Sequence, residues 1–424
     1  MMNIVWLLLA FMAHAAAAPQ QPAAPAATPP VSAQPAAPGP SAQAAPLKLL
    51  SGSELPRFDD SLTTKKARAN LVKAAQKAAL YLSKSQPKLF RIADRDYGPA
   101  ILEATAREFI ALWQQDLPPE EFNAKVAEDF DVFMSVGSDG QGKVVFSSYY
   151  QPELPASMAK SPKYPYPIYK KPPDILEVGL ADFDKKYPAD TLIGRVDKDK
   201  KVVPYFNRDQ IDSHKALAGK GLELAWLPTK FDILDLHIQG SGILMFPSGR
   251  KLLAQFAATN AWTYNSVGLS LVKAGVFTRE EITHEKLRRY FRDHPEAQEW
   301  AMAQNPRYTF FKLMPLPADG EPMGTAEQSL NPGRAIAIDP SIIPLGALAY
   351  FSTLSPQADS EGKLVGKFPT NRFAFCLDTG GAIKGPGRVD IYAGHGKMAA
   401  EMAKNQWADG QLYILVKKVP ARER

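Results

Sequence analysis

The sequence predicts an α+β protein that is mainly β, with helices near its N-terminus. Two observations point to this fold class. Apolar residues between Leu62 and Ser83 recur at helical spacing, whereas beyond Arg334 the apolar segments are short, β-branched and separated by turns. Strands of this kind fit a small barrel better than a doubly wound parallel sheet, in which long helices would alternate with strands.

The first 47 residues contain no charged side chain and differ in composition from the rest of the chain. An apolar stretch followed by an alanine run is typical of a secretory signal peptide cleaved after Ala15 or Ala17, with a retained apolar tail as the alternative. We therefore assign 1–17 to a signal peptide. Residues 18–47 are rich in proline and alanine and are predicted to form an extended linker.

The formal net charge of +6 and the sequence pI of about 9.0 suit an anionic partner: a cell-wall polymer, a membrane surface or nucleic acid. The predicted export argues against nucleic acid, and the basic residues are scattered along the chain. The one cysteine, Cys376, lies in an apolar strand pattern, so we expect a buried thiol and no internal disulfide. Since no cysteine follows the apolar leader, a lipid-attachment site is not predicted.

The sequence gives little support for a metal site or a nucleotide-binding site. None of the six histidines shows H-E-x-x-H spacing or clusters with cysteine, so no metal site is predicted. A nucleotide-binding loop is a poor interpretation because no Walker pattern precedes Lys397. We therefore expect no cofactor.

In chain order, the N-terminal helix is followed by a second one at about Ala100 to Gln115 and a third that opens at Pro118-Pro119. Strands are then predicted from Phe130 to Val136 and from Lys143 to Tyr150. The turn residues between these two strands favour a β-hairpin.

The middle of the chain mixes loops, short strands and helices. Strand-like pieces are predicted at Leu222 to Leu227 and Phe231 to Ile238. Residues 267–305 are predicted to be helical, with a capping box at Thr278 to Glu281. Further helices are expected from about His284 and from Pro295.

The strongest candidate site is the glycine-rich run from Asp378 to Gly396, in which a second carboxylate, Asp390, follows four glycines. Glycines allow sharp turns and leave room for a bulky ligand beside the backbone. An acid on such a scaffold is a candidate proton-transfer group. A third carboxylate, Asp339, stands upstream, and the hypothesis depends on whether the three aspartates meet in one cleft.

A second candidate is the Gln239-Gly-Ser-Gly242 turn, which we expect to follow a strand and to present Gln239 and Ser241 to a cleft. A simple β-turn is the alternative. The turn does not match a nucleophile elbow, which requires G-x-S-x-G between strand and helix. Segments rich in aromatic and polar residues, around Tyr149 and Tyr264, have the composition of a sugar-stacking surface or of ordinary core.

Taken together, these segments resemble the membrane-bound lytic murein transglycosylase A (MltA) family with its C-terminal three-aspartate (3D) domain. The resemblance runs in family order over about 60% of the chain. The matching segments besides the glycine-rich run are Phe146-Ser-Ser-Tyr-Tyr-Gln-Pro-Glu153, Tyr166-Pro-Ile-Tyr169, His237-Ile-Gln-Gly-Ser-Gly242, Tyr264-Asn-Ser-Val-Gly268, Asn305-Pro-Arg-Tyr-Thr-Phe-Phe311 and Ile338-Asp-Pro-Ser-Ile-Ile-Pro-Leu-Gly346.

The resemblance implies a double-psi β-barrel domain plus a second, inserted β-rich domain, with a glycan groove between them. On this pattern, 48–149 and 311–424 form the helical segment and the barrel (3D) domain, and 150–310 form the insert. Departures from the family pattern occur at Gln151, Ala261 and Leu377, and none of them removes a carboxylate of the set.

By the same resemblance, Asp390 is the catalytic acid, and Asp378 and Asp339 complete the three-aspartate set. The expected substrate-binding residues are Tyr149, Tyr150, Gln239, Ser241, Gly242, Tyr264, Ser266, Gly380, Gly381 and Lys384.

The implied activity is lytic cleavage of peptidoglycan with formation of 1,6-anhydro ends. A non-catalytic wall-binding module and a hydrolytic muramidase stay open as alternatives. We expect peptidoglycan strands as the partner, a monomer, and a periplasmic location. Contact with the outer membrane or with other cell-wall enzymes is left open.

Overall fold

The computed structural model describes residues 45–188, 190–359 and 363–419. The predicted signal peptide and nearly all of the predicted linker lie outside the described residues. Within the described ranges, no helix combines the length and apolar character that crossing a lipid bilayer requires.

The first part of the described chain holds five strands and three α-helices. In order, these are β1 (Leu47–Leu50), α1 (Lys65–Lys84), β2 (Phe90–Ile92), β3 (Arg95–Tyr97), α2 (Pro99–Gln114), α3 (Pro119–Asp129), β4 (Phe130–Ser135) and β5 (Val144–Gln151).

The predicted N-terminal helices are confirmed, and local signals explain where each begins. The Thr64 hydroxyl caps α1 by accepting from the Ala67 amide at 3.2 Å. Both α2 and α3 begin with a proline, which suits the first helical turn because that turn leaves its amides unpaired.

The middle segment, residues 153–315, contains nine strands and six helices among its described residues. They are β6 (Glu153–Pro155), β7 (Tyr166–Tyr169), β8 (Leu176–Gly179), α4 (Leu180–Phe183), β9 (Thr191–Val196), β10 (Val202–Pro204), α5 (Arg208–Asp212), β11 (Glu223–Leu227), α6 (Lys230–Gln239), β12 (Gly242–Met245), β13 (Lys251–Thr259), α7 (Val267–Lys273), α8 (His284–Asp293), α9 (Pro295–Ala303) and β14 (Thr309–Pro315).

The C-terminal part is mostly strand. Its described elements are β15 (Ala335–Ile338), β16 (Leu348–Ala358), β17 (Leu364–Thr379), β18 (Arg388–His395), α10 (Gly396–Asn405) and β19 (Trp407–Lys417).

Six strands close into a barrel in the order β5, β19, β16, β17, β15 and β18, which pairs back with β5. Most neighbours are antiparallel, but β18 runs parallel to β5 and β15 runs parallel to β17. One barrel strand precedes the middle segment and five follow it. The prediction of a barrel built from both sides of an inserted segment is therefore confirmed.

Alternating side chains of β17 explain how the barrel and the helices share one core. Ala374 and Cys376 belong to the cluster that fills the barrel interior, whereas Phe373 and Phe375 pack outward against α1 and α2. Cys376 is fully buried, and burial raises the pKa of its thiol. This confirms the expected buried thiol.

The middle segment has its own core. A four-stranded sheet runs in the order β14, β13, β12, β6. One face of this sheet packs against α6, with Leu154, Leu236, Leu244 and Phe311 among the buried residues. The segment leaves the barrel after β5 and returns before β15. Its sheet and helix are therefore attached at the end of the barrel where β5 ends and β15 begins.

A buried ion pair ties the N-terminal segment to the barrel. The guanidinium of Arg334 donates to both carboxylate oxygens of Asp60, at 2.9 Å for one of them, and both side chains are buried. Asp60 also accepts the amide of Phe373 at 3.0 Å. The segment before α1 is thus anchored at the start of β15 and in the middle of β17.

The predicted hairpin between β4 and β5 is wrong. Both strands are antiparallel to β19, with β5 along Trp407–Gly410 and β4 along Tyr413–Lys417. They therefore lie end to end along one long strand, joined by the loop 136–143. Because β19 is long enough to pair with both strands in turn, its edge replaces the pairing of β4 with β5.

The predicted strand at Phe231 to Ile238 is also wrong, because these residues form α6. The Thr229 hydroxyl caps the helix by accepting from the Asp232 amide at 3.0 Å, and Gly240 ends it in the left-handed region at φ 78°. Every residue from Phe231 to His237 is buried, so the sequence shows neither helical nor strand periodicity.

The capping box predicted at Thr278 to Glu281 forms its hydrogen bond but caps only a turn. The Thr278 amide donates to Glu281 at 2.9 Å, yet the next helix, α8, begins at His284 with Thr283 as its cap. The helices predicted near His284 and from Pro295 are confirmed.

Candidate functional site

Two adjoining cavities lie between the barrel and the middle segment. The first has a volume of about 250 Å³, and its polar lining comes from both sides: Tyr149, Asp378 and Asp390 from the barrel, Gln239 and Arg307 from the middle segment. The second has a volume of about 680 Å³ and shares all of these except Asp390. We call the two cavities together the groove.

Asp390 lies within β18, where it pairs with Ala337 of β15 on one side and Ser147 of β5 on the other. Its carboxylate accepts from the Ser147 hydroxyl at 2.8 Å. Burial raises the pKa of Asp390 to about 6, although the bond from Ser147 and the charge of Arg388 both lower it. A carboxyl with this pKa is suited to proton transfer near neutral pH.

Arg388 turns toward the site but does not pair directly with the acid. Its Nη2 donates to the Ser147 hydroxyl at 2.8 Å, and its guanidinium lies 4.8 Å from the ring centre of Trp407. The cation therefore acts on Asp390 through its charge and not through a direct hydrogen bond. With this geometry, the charge of Arg388 lowers the pKa of Asp390 less than a direct ion pair would.

Asp378 is the next-to-last residue of β17 and pairs with Ala337, on the side of β15 opposite to Asp390. The two acids are thus two strands apart, about 10 Å between backbones. Tyr149 donates to one carboxylate oxygen of Asp378 at 2.7 Å, and Thr325 donates to the other with its amide and hydroxyl, each at 3.0 Å. Burial raises the pKa of Asp378 despite these bonds, and its charge adds to the raised pKa of Asp390.

Asp339 is placed differently and lines neither cavity of the groove. It accepts from the amide and hydroxyl of Ser341 at 3.1 and 2.7 Å, and from the amide of Gly385 at 2.8 Å. Burial alone would raise the pKa of Asp339, but these hydrogen bonds outweigh burial and lower it. Its position suits a residue that holds the glycine-rich turn after β17.

Most of the expected substrate-binding residues meet in the groove. Those that line it are Tyr149, Gln239, Ser241, Tyr264, Gly380, Gly381 and Lys384. Gln239 stands at the last position of α6, so the helix end, and not a strand end, presents it to the cavity.

Three expected residues do not line the groove. The hydroxyl of Tyr150 donates to buried Asp235 at 2.8 Å. Gly242 packs under α6, since a Cβ there would lie 2.6 Å from the side chain of Leu236. Ser266 caps α7 by accepting the Leu269 amide at 3.2 Å.

Several lining residues were not predicted, chiefly Arg307, Phe256 and Lys312. Arg307 stands within a segment that carries the family resemblance, and a Cβ on Gly381 would lie 2.7 Å from its Nη2. The Arg307 guanidinium therefore lies directly against the glycine-rich turn, and a side chain at Gly381 would require it to move. Phe256 occurs in an apolar strand pattern that gives no sign that its ring is exposed.

His237 belongs to the wall of the first cavity as a neutral side chain. Its Nδ1 lies 2.9 Å from Nη2 of Arg208. Because a guanidinium only donates, Nδ1 must accept and the proton sits on Nε2. Burial and the charge of Arg208 both lower the pKa of His237 well below its usual value.

Two family models match the chain. The model described as the MltA specific insert domain covers residues 145–312, and the 3D domain model covers residues 334–416. The first covers nearly all of β5 and the middle segment as far as Lys312, and the second covers the other five barrel strands as far as Val416.

Curated relatives and solved structures agree with these matches. The membrane-bound lytic murein transglycosylase A of Escherichia coli (strain K12) is 30% identical over 288 residues, which is 67% of this chain and 69% of the relative. The Vibrio cholerae protein of the same name is 28% identical over 66% of this chain and 67% of its own length.

Among solved structures, a membrane-bound lytic murein transglycosylase from Agrobacterium tumefaciens has a TM-score of 0.68 at 26% identity, covering 89% of this chain and 99% of that one. The structure of E. coli MltA with bound chitohexaose shares the fold, with a TM-score of 0.65 at 23% identity over 89% of this chain and 96% of that one. The chain belongs to the membrane-bound lytic murein transglycosylase A family.

Proposed function

We propose that this protein is a lytic transglycosylase in which Asp390 cleaves the β-1,4 bond between N-acetylmuramic acid and N-acetylglucosamine. The observation that carries the proposal is a single carboxyl with a pKa of about 6, set in a groove between barrel and insert. The groove offers amide, hydroxyl, cationic and aromatic side chains, which are the groups that bind sugars. The relative solved with chitohexaose has the same fold.

One carboxyl suffices for this reaction because the substrate supplies its own nucleophile. Protonated Asp390 donates to the glycosidic oxygen as the bond from that oxygen to C1 of the muramic acid breaks. The C6 hydroxyl of the same sugar then attacks C1, and its proton passes to the Asp390 carboxylate. The product is a 1,6-anhydro ring, and Asp390 returns to its starting protonation state.

The intramolecular attack contributes strongly to the rate. A nucleophile held on the same molecule has an effective concentration of up to ~10⁵ M or more. Asp378 assists by raising the pKa of Asp390, while Tyr149 and Thr325 fix Asp378 in place. We assign Asp339 to holding the glycine-rich turn.

A hydrolytic muramidase would need a second carboxylate free to activate water or attack the sugar. The other carboxylate that lines the first cavity is Asp378, and both of its oxygens already accept hydrogen bonds from Tyr149 and Thr325. This arrangement favours the lytic reaction over hydrolysis.

We further propose that the protein acts in the cell envelope, in the periplasm, since its substrate is the cell wall. The membrane-bound relatives support an exported protein. Peptidoglycan strands are the partner that this location provides.

The decisive test is product analysis of a sacculus digest with wild type and Asp390→Asn. We expect the wild type to release 1,6-anhydromuropeptides and the variant to release none, because Asn can neither donate nor take back the proton. Mass spectrometry separates these products from hydrolytic ones, which are one water heavier.

A matched control is Asp409→Asn, which removes a carboxylate from the exposed part of β19, where it pairs with Lys143. It should digest sacculi like the wild type. Reducing-end products from the wild type would contradict the lytic mechanism. Full activity in Asp390→Asn would contradict the assignment of the acid.

A further inference from the structure

A third cavity, with a volume of about 600 Å³, adjoins the groove on the side of the N-terminal helices. Thr325, Glu327 and Pro340 line both this cavity and the second cavity of the groove. The far wall comes from the C-terminal end of α1 and the residues that follow it, which include Lys84 and Lys88. We call this space the side cavity.

The side cavity presents two cations that have no internal partner. Lys84 and Lys88 are exposed, and neither forms an ion pair with another described residue. One acidic side chain, Glu327, faces them across the cavity lining. The half-buried rings of Tyr81 and Phe90 add apolar surface. This combination suits a flexible ligand that carries more than one carboxylate.

The wall between the side cavity and the groove is a short, well-fixed turn, residues 324–328. The Gly324 amide donates to the Gln328 carbonyl at 2.9 Å, and the Ala326 amide donates to the Leu377 carbonyl at 3.0 Å. Glu327 adopts a left-handed backbone at φ 53°, which is unfavourable for a glutamate. The turn holds this conformation while its Thr325 binds Asp378 in the groove.

We propose that the side cavity binds the stem peptide of the peptidoglycan strand, with Lys84 and Lys88 binding the carboxylates of that peptide. This inference rests on the proposed function, which places the glycan strand in the groove. Stem peptides branch from the muramic acid and carry free carboxylates. A strand lying in the groove would bring such branches next to the turn 324–328, and the two lysines lie on the other side of that turn.

The test uses a double variant, Lys84→Ser and Lys88→Ser, on two forms of one substrate. The first form is peptide-bearing sacculi, and the second is the same glycan stripped of its peptides by an amidase. We expect kcat/KM to fall about three- to tenfold on the peptide-bearing form and to stay unchanged on the stripped form. The loss should shrink as salt is added, because exposed ion pairs are screened.

Lys65→Ser and Lys66→Ser provide the matched control, since they remove two exposed lysines from the other end of the same helix. This control should behave like the wild type on both substrates. Equal losses of the Lys84 and Lys88 variant on both forms, or no loss on either, would overturn the peptide site.

A binding measurement separates this inference from the proposed function. In an Asp390→Asn background, the Lys84 and Lys88 changes should weaken co-sedimentation with peptide-bearing sacculi but not with stripped glycan. That result would support the peptide site whatever the digests show. If wild-type digests contained no anhydro products, the lytic function alone would be refuted. Unchanged co-sedimentation with both forms would overturn the peptide site.

Discussion

Opposing influences act on the proton of Asp390, and those that raise its pKa prevail. Burial and the charge of Asp378 favour the protonated carboxyl, and the Ser147 hydroxyl and Arg388 favour the ionised one. The net pKa of about 6 lies between the usual value for an aspartate and neutrality. An acid that must donate in one step and accept in the next is served by such an intermediate value.

The pH dependence of the reaction follows from that pKa. The reaction begins with protonated Asp390, and the protonated fraction falls as the pH rises through about 6. At pH 7 roughly one tenth of the molecules hold the proton. We expect kcat/KM on sacculi to decline about tenfold per pH unit on the alkaline side, measured by release of soluble muropeptides between pH 5 and 8. A flat profile across this range would contradict the pKa.

At the residue scale, the sequence predicted which residues meet in the groove better than what each one does. The three aspartates could be singled out from the family pattern, and two of them line the groove. That Asp339 holds a turn could not be foreseen, because its partner Gly385 lies 46 residues away. The direction in which Arg388 points is likewise a property of the folded strand pair and not of its neighbours in sequence.

At the element scale, the buried pair of Asp60 and Arg334 anchors the segment before α1. We expect Asp60→Ala to lower the free energy of unfolding by about 3–5 kcal/mol, because it leaves a buried guanidinium without its counterion. Urea denaturation followed by circular dichroism measures this change.

The exposed pair of Arg57 and Glu120 is the control, since it lies nearby and both side chains are largely exposed. Glu120→Ala should leave the unfolding midpoint almost unchanged because water screens such pairs. If both variants behaved alike, the pair of Asp60 and Arg334 would not be the anchor.

Elements with local signals were predictable, and elements defined by distant partners were not. Helices α1 to α3 carry caps or prolines at their starts, so sequence neighbours decide where they begin. In contrast, the sequence of β4 and β5 is typical of a hairpin. Both strands pair instead with one edge of β19, which lies some 270 residues later in the chain. Helix α6 was missed because it is buried all round.

At the scale of the whole molecule, closure of the barrel depends on the close approach of β19 to β16 and β5. Gly410 is the tightest point of this approach: a Cβ there would lie 2.2 Å from the Ser352 carbonyl oxygen and 2.9 Å from the ring of Phe146. We expect Gly410→Val to lower the free energy of unfolding by about 3 kcal/mol or more and to abolish sacculus digestion.

The measurement for Gly410→Val pairs a urea titration with a digest. An unchanged midpoint together with full activity would show that β19 does not close against its neighbours as described. The short strands beyond Arg334 and the family resemblance both predicted the barrel itself. The closing contact and the side cavity could not be predicted, because both depend on segments that the chain brings together from far apart.

The ring of six strands also sets an order of events during synthesis. Asp390 bonds to Ser147, which precedes it by 243 residues, and β19 must arrive last to complete the ring. The bond-cleaving groove therefore cannot assemble on a nascent chain until nearly all of it has emerged. A chain that is still being synthesised is therefore inactive. The enzyme can cleave its substrate only after the last barrel strand has been made.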